Sequence, residues 1–252
     1  MPLIQIIPIR ISADILLYDN DNLNSIILEA ISHIQIEIEN KDILVVTHKI
    51  VSKAEGRIVD LANVKPSTKA IRIAKEHDKD PRVMELILKE STQILRAKNG
   101  VIISETKHGF VCANAGIDQS NVEGDMAVLL PVAPDKSASR LQDAVKKKIG
   151  KEIAVVITDT FGRTFRNGQT NVAIGIAGIK PIKSYIGTYD MYGKKLRVTE
   201  IAVADEIASA AELVMGKAEG TPVAIIRGYN FEKAARSSIK SLLRVRERDL
   251  FR

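Results

Sequence analysis

The chain has 252 residues, 45% hydrophobic, 27% charged and 4% aromatic, with formal net charge +6, one cysteine and no tryptophan. That composition belongs to a soluble globular protein with enough chain to bury one large core or two modest ones. A single thiol, Cys112, excludes an internal disulfide and any multi-cysteine zinc or iron–sulfur site, and agrees with a reducing, cytoplasmic compartment. The opening MPLIQIIPIRISAD meets Pro8, Arg10 and Asp14 too early for a signal peptide, and no apolar run is long enough to span a bilayer, so no membrane partner is expected. The basic balance would suit nucleic acid, yet few aromatics are present to stack bases and no zinc-finger or RNP-like spacing accompanies them, so no nucleic-acid partner is expected either.

In chain order, β-branched runs predict strands over Ile43–Thr47, Val101–Ser104, Phe110–Ala113, Met126–Leu130, Ile153–Thr158, Ile182–Ile186 and Val223–Ile226. Several are apolar throughout, as strands buried on both faces are. Asp80 and Pro81 supply a cap and first-turn pair for a helix whose inner face is Val83, Leu86, Ile87 and Ile94. From Asp135 to Gly150, Ala138, Leu141, Val145 and Ile149 form one stripe, and Lys146, Lys147 and Lys148 load the last turn, where cations suit the helix dipole. A third helix is expected from about Ala204 to Met215, ended by Gly216. Val101–Leu130 reads as strand, turn, strand, which breaks a regular alternation of strands and helices. The fold class is therefore mixed α/β (α+β), a composite rather than a plain doubly wound sheet.

The common signatures of nucleotide, zinc and serine chemistry are missing: G-x-x-x-x-G-K-[ST], G-x-G-x-x-G, H-E-x-x-H and G-x-S-x-G do not occur. His33, His48, His77 and His108 are scattered and read as surface or structural residues. Four polar segments where strands or helices end hold chemistry instead, each with a plainer alternative. THKIVSKAEGR, from Thr47 to Arg57, offers three cations and two hydroxyls to a triphosphate, or is a solvated strand end. AGIDQSN, from Ala115 to Asn121, gathers a carboxylate, a hydroxyl and an amide for a hard cation, or is an Asx-turn. Asp159 and Thr160 close an apolar strand before Arg163 and Arg166, as oxygen ligands followed by forked cations, or as a capped turn with solvated arginines. GKAEGTP, from Gly216 to Pro222, places Glu219 between glycines, for close approach to a ligand or simply as a helix cap and turn. Together they form the inventory for phosphoryl transfer with Mg²⁺ or Mn²⁺, in which no covalent nucleophile is required.

Read in order, VVTHKIVSKAEGRIV, NAGIDQSNVEGD, LLPVAPDKSASRL, ITDTFGRTFRNGQTNVAIGIAG and MGKAEGTPVAIIRG resemble the coenzyme F-420-0:L-glutamate ligase family, the γ-glutamyl ligases of F-420 synthesis, over nearly the whole chain. The ending RVRERDLFR is similar to the usual tail of that family. The resemblance implies a ligase that uses GTP to join L-glutamate to the lactyl carboxylate of F-420-0 through an acyl phosphate, then adds further glutamate by γ-linkage. A related amide ligase with a different carboxylate acceptor is the alternative. It further implies Mg²⁺ or Mn²⁺ at two sites, K⁺ as a candidate accessory ion, and a cytoplasmic homodimer. Each subunit would carry two intertwined subdomains over 1–230 and a basic tail over 231–252.

Carried over position by position, the resemblance places metal ligands at Asp118, Asp159, Thr160 and Glu219. It places GTP contacts at Ile7, Pro8, Ile9, Arg10, Ser52, Lys53, Arg57 and Asn121, and along Lys217, Ala218, Glu219, Gly220, Thr221, Pro222, Val223 and Ala224. Arg163 and Arg166 are the candidates for holding a substrate carboxylate or phosphate. After Arg10 the chain departs from the family pattern, with ISADILLYDNDN where a Gly-Asp-Asp run is expected. The charge is uneven as well: from Phe231 to Arg252, seven Lys or Arg against three acids give +4, leaving +2 of the +6 for residues 1–230.

Overall fold

The computed structural model describes residues 3–11 and 20–251. Its main sheet is built on the Val- and Ile-rich runs. β2 (Ile43–Thr47) and the first half of β8 (Ala154–Arg163) are buried residue after residue and lie parallel, with Ile43 opposite Ala154 and Thr47 opposite Thr158. Strands covered on both faces need no polar alternation, so both read as unbroken apolar runs. β12 (Val223–Arg227) pairs antiparallel with β2, and β1 (Gln5–Ile9) pairs with β12 as the edge strand, where Pro8, with no N–H to donate, is tolerated. On the other side β9 (Arg166–Ile179) folds back along β8, and β13 (Lys233–Ala234) completes the order β1-β12-β2-β8-β9-β13. Each fully buried Val or Ile in this sheet contributes about 1.5–3 kcal/mol.

α1 (Asn20–His33), α5 (Pro134–Ile149) and α6 (Val203–Met215) cover this sheet with Leu23, Ile27 and Ile31, with Ala138, Leu141 and Val145, and with Val203, Ile207 and Ala211. α5 approaches β9 so closely that a Cβ on Gly175 would fall 2.6 Å from the Pro134 backbone carbon, which only glycine avoids. Between β2 and β8 the chain builds a second hydrophobic cluster around Leu61, Met84, Leu86, Ile87, Ile102 and Leu129. Around it lie β3 (Ile58–Asp60) paired with β7 (Met126–Val128), α3 (Thr68–Glu76) and α4 (Pro81–Glu90). β4 (Ser91–Lys98), β5 (Val101–Thr106) and β6 (Val111–Ala113) form a small antiparallel sheet beside them. The caps are those the sequence offers: the Asp80 carboxylate accepts from Arg82 N, and the Ser67 hydroxyl accepts from Ala70 N.

The architecture is mixed α/β, as expected. Three local readings change. α4 ends at Glu90, so Ile94 lies on β4 rather than on a helix face. The strand expected over Ile182–Ile186 shrinks to β10 (Lys183–Ser184), paired with β11 (Glu200–Ile201) at the base of an extended arm. The polar, glycine-containing stretch from Phe161 to Gln169 that follows Thr160, expected as a loop, is instead the end and tip of the β8–β9 hairpin. β9 was invisible to pattern because its opening is polar and glycines interrupt it, both weak strand signals. It is a strand because β8 supplies the ladder and α5 and α6 cover it. The basic C-terminal segment packs back onto the body: the Asp135 carboxylate accepts from Ser238 Oγ (2.8 Å) and Ile239 N (3.1 Å), and Ile239 is buried. No helix among the described residues is long and apolar enough to cross a membrane.

Candidate active site

The site begins with a register. Because Thr47 stands opposite Thr158 in the parallel pair, the residues that follow them, His48 after β2 and Asp159 on β8, emerge at the same edge of the sheet. Such carboxyl ends are where open α/β sheets receive ligands. β2 runs straight into α2 (His48–Ala54), and the first turn of that helix carries His48 and Lys49. His48 is 1% exposed, with Nε2 3.2 Å from Asp159 Oδ1 but misaligned for a hydrogen bond, so the contact is one of charge and dipole. Its Nδ1 lies 3.4 Å from the buried Ser52 hydroxyl. Lys49 donates to Asp118 Oδ2 (2.8 Å) and Ser120 Oγ (2.7 Å). Two neighbouring residues of one helical turn thus hold the carboxylates of Asp159 and Asp118, which are far apart in sequence.

Asp118 is fixed from both ends. Its backbone makes a two-way bridge with Val128, and its Oδ1 accepts from Ser120 N (2.7 Å), so the Asx-turn and the carboxylate cluster are the same structure. Burial alone would raise the Asp118 carboxyl, but the Lys49 ammonium and the Ser120 amide outweigh it and hold it below the usual carboxylate range. Next to it, Lys53 donates to Asn121 O (3.0 Å), and Asn121 Nδ2 donates to Lys217 O (3.2 Å). Burial, and then the nearby Lys49 charge, make Lys53 easier to deprotonate than a free lysine. Lys217 in turn donates to Thr160 Oγ1 (2.7 Å) and pairs with Glu212 (2.9 Å). The chain of contacts therefore runs from α2 through Asn121 and Lys217 to β8 and closes a ring of polar groups around the strand ends.

The N-terminal stretch and the 217–224 stretch, expected in one nucleotide pocket, are direct neighbours. Ile7, Pro8 and Ile9 pair with Ile225, Ala224 and Val223, and Ile11 N donates to Gly220 O (3.0 Å). Pro222 O accepts from Thr47 N (2.9 Å), and Thr221 Oγ1 donates to Glu219 O (3.3 Å). The Glu219 carboxylate turns onto its own loop and accepts from Ala218 N (2.8 Å). That amide first, with Arg10 as a smaller contribution, holds Glu219 below the usual range. Residues 12–19, where the chain departs from the family pattern, lie outside the described residues.

Two groups stand apart from the ring. Arg57 donates from Nε to Leu130 O (3.0 Å) and from Nη2 to Glu90 Oε2 (2.6 Å), which ties the exit of α2 to the second cluster. Arg163 and Arg166 face each other at the hairpin tip, about 13 Å along the strand from Asp159 at the usual rise per residue. Between them Phe165 has φ +62° and is 88% exposed, with its ring centroid 5.8 Å from that of Phe251. Among the described residues no three His, Cys, Asp or Glu side chains gather into a metal cluster. Cys112, buried beside Asp159, has its thiol pushed up to about 12 by burial and by that carboxylate, so it is no nucleophile.

His48, Asn171 and Glu212 are site residues that reading the sequence missed. His48 stood in the open as the first residue after an apolar strand. Asn171 and Glu212 gave no signal, because their role depends on β9 and α6 meeting. On the same helix face Asp205 accepts from Ala173 N (2.9 Å), and burial raises its carboxyl above the ordinary value. A raised carboxyl means that the folded state prefers the neutral form and loses stability as pH climbs through the folded pKa. Asp205→Asn keeps an acceptor for Ala173 and is expected to raise the thermal midpoint at pH 7. The gain should vanish below about pH 3.9, the ordinary value for the unfolded group, when unfolding is followed by circular dichroism across pH.

The profile of the family described as F420-0:gamma-glutamyl ligase matches residues 12–228. A coenzyme F420:L-glutamate ligase of Methanothermobacter thermautotrophicus is 47% identical over 234 residues, covering 92% of this chain and 93% of the relative. One of Methanocaldococcus jannaschii is 43% identical over 86% of this chain and 87% of its own length, and one of Methanosarcina mazei is 41% identical over 94% and 91%. With the matched span containing the whole α2–Asp118–Asp159–Lys217 ring, this chain belongs to the F420-0:gamma-glutamyl ligase family.

Proposed function

We propose that the protein uses GTP to join L-glutamate to the lactyl carboxylate of F-420-0 and then extends the product by γ-linked glutamate. A carboxylate repels an incoming amine, so the acceptor is first phosphorylated on a carboxylate oxygen with release of GDP. The glutamate ammonium first gives a proton to solvent, the freed amine attacks the acyl carbon, the C–O bond to phosphate breaks, and the second N–H proton leaves with the phosphate. Such a reaction asks for positioning and for cover of phosphoryl charge rather than a covalent nucleophile. The observation that carries this reading is the convergence of Lys49, Lys53 and Lys217 with Asp118, Asp159 and Thr160 at the carboxyl end of the parallel strand pair. In this reading Lys53, Asn121 and the 217–224 loop hold the nucleotide, and Arg163 and Arg166 take an anionic group of the substrate. Ser52 supports His48 from inside the helix rather than facing the nucleotide directly.

The donor set fits Mg²⁺ or Mn²⁺. Asp118 and Thr160 each already hold an ammonium at 2.7–2.8 Å, so the oxygens point where a cation is favoured. With at most two carboxylates near one another, the arrangement suits a hard cation that takes the rest of its shell from nucleotide phosphates and water rather than from an all-protein cage. Asp118, Asp159, Thr160 and Glu219 would supply the oxygens, with Asp159 and Thr160, whose side chains leave opposite faces of β8, serving different ions. Bound there, the cation would neutralise phosphate charge. A second divalent ion and an accessory K⁺ belong to the same proposal, as does a homodimer. The arm between β10 and β11 supports the dimer: Met191, Tyr192 and Val198 are almost fully exposed on it, an apolar surface that a second copy would cover.

The test is a product assay by mass spectrometry with F-420-0, L-glutamate and Mn²⁺, comparing GTP with ATP. Glutamylated deazaflavin with GTP is the expected outcome. No such product, with turnover of another carboxylic acid, would transfer the reading to a ligase of different acceptor.

A further inference from the structure

Asn171 is 3% exposed and lies on β9 directly opposite Thr160. Its amide is used at both ends. Oδ1 accepts from Thr160 Oγ1 (2.7 Å) and from Lys217 Nζ (3.4 Å), while Nδ2 donates to Glu212 Oε2 (2.8 Å). A carboxylate can only accept and an ammonium can only donate, so these neighbours fix which end of the amide faces Thr160. Glu212 is itself held by Lys217, and Ser209 Oγ, one turn earlier on α6, donates to Asn171 O (2.8 Å). The side chain therefore has one orientation, imposed by α6.

That orientation has a chemical consequence at Thr160. A hydroxyl has one proton and two lone pairs, and it can ligate a cation only if the proton is directed elsewhere. Here the proton goes to Asn171 Oδ1, and the acceptor side of the hydroxyl already meets a positive charge, the Lys217 ammonium. We infer that Asn171, locked by Glu212, is a positioning residue that aims the lone pairs of the Thr160 hydroxyl at a divalent cation. The inference rests on the proposed role of Thr160 as a ligand. Groups behind a ligand that fix its proton and orientation change metal affinity by about 10- to 100-fold when removed.

The alternative is that Thr160 and Asn171 are a cross-strand polar pair that only steadies the hairpin. Titrating the full chain with Mn²⁺, and following free ion by its paramagnetic resonance, separates the two. Thr160→Val and Asn171→Ala are each expected to raise the Mn²⁺ dissociation constant about tenfold, and the double variant no further than the worse single one. Asn171→Asp keeps an acceptor facing Thr160, so in that background Thr160→Val should again weaken binding, whereas in the Asn171→Ala background it should not. Should Asn171→Ala fail to fold by circular dichroism, Asn171→Val, suited to a strand, replaces it in the same cycle. Losses that multiply in the double variant, or unchanged binding in Asn171→Ala beside weakened binding in Thr160→Val, would overturn the role of Asn171 and leave the metal reading standing. Unchanged binding in Thr160→Val would overturn both.

Discussion

Asp159→Asn is expected to leave the fold intact and, on the proposed metal-assisted mechanism, to lower kcat/KM for ligation by about 10³-fold or more. The residue sits on β8 at the open edge of the sheet, where the Asn carbonyl can still accept from Thr160 N as Asp159 Oδ1 does (2.6 Å). What is lost is charge. His48 beside it is buried, and Lys49 and Lys217 are already paired with Asp118 and Thr160, so the variant takes one negative charge out of the ring. Cover of developing phosphoryl charge by a bound cation is worth several kcal/mol, and about 4 kcal/mol corresponds to 10³ in rate. The same product assay measures it, with circular dichroism as the check on folding. Wild-type turnover at limiting Mn²⁺ would remove Asp159 from the site.

The second large effect is on stability and lies at the opposite end of the sheet. Asp42 is 2% exposed and grips Arg227 through two bonds, Nε to Oδ1 (2.9 Å) and Nη2 to Oδ2 (2.7 Å), while also accepting from Glu39 N (2.8 Å). The pair joins the start of β2 to the end of β12, the two strands that carry the core. Asp42 first raises the Arg227 pKa, burial opposing it. Asp42→Ala leaves a guanidinium partly buried with only Glu39 and the Glu37 carbonyl, and should cost about 3 kcal/mol, the lower end for breaking a buried pair. For a chain of this size that is a fall of about 6–12 °C in thermal midpoint. Lys146→Ala, which breaks a solvent-exposed pair with Glu152, should leave the midpoint nearly unchanged in the same experiment.

The elements legible in the sequence are those whose own residues dictate them. β2, β8 and β12 are apolar runs with little choice but burial, and α4, α5 and α6 carry period-3.6 stripes with Asp80, Pro81, Pro134 or Gly216 at their ends. β9 and β4 were not legible, since Arg166–Gln169 and Ser91–Lys98 are polar or irregular and become strands only on a partner. The same division runs through the site. Asp118, Asp159, Thr160, Lys53 and Lys217 announce themselves as polar residues at element ends. His48 was read as scattered, yet it is placed against Asp159 by strand register alone.

By itself, then, the sequence determined the family and the mixed α/β class and singled out Asp118, Asp159, Thr160, Lys53 and Lys217 as candidates, because those are written in runs and motifs a few residues long. Only the tertiary structure decided which of them meet. Lys49 on Asp118, Lys217 on Thr160, Asn121 on Lys217 and Asn171 on Thr160 join positions between 11 and 96 residues apart. Arg57, bound to Glu90, and Arg163 and Arg166, at the far end of the β8–β9 hairpin, are set at a distance from this ring that no motif spacing gives. Periodicity describes the face a residue presents along its own element, whereas the sheet order, the Thr47–Thr158 register and the approach of α6 to β9 arise from burial shared between elements, which no local pattern encodes.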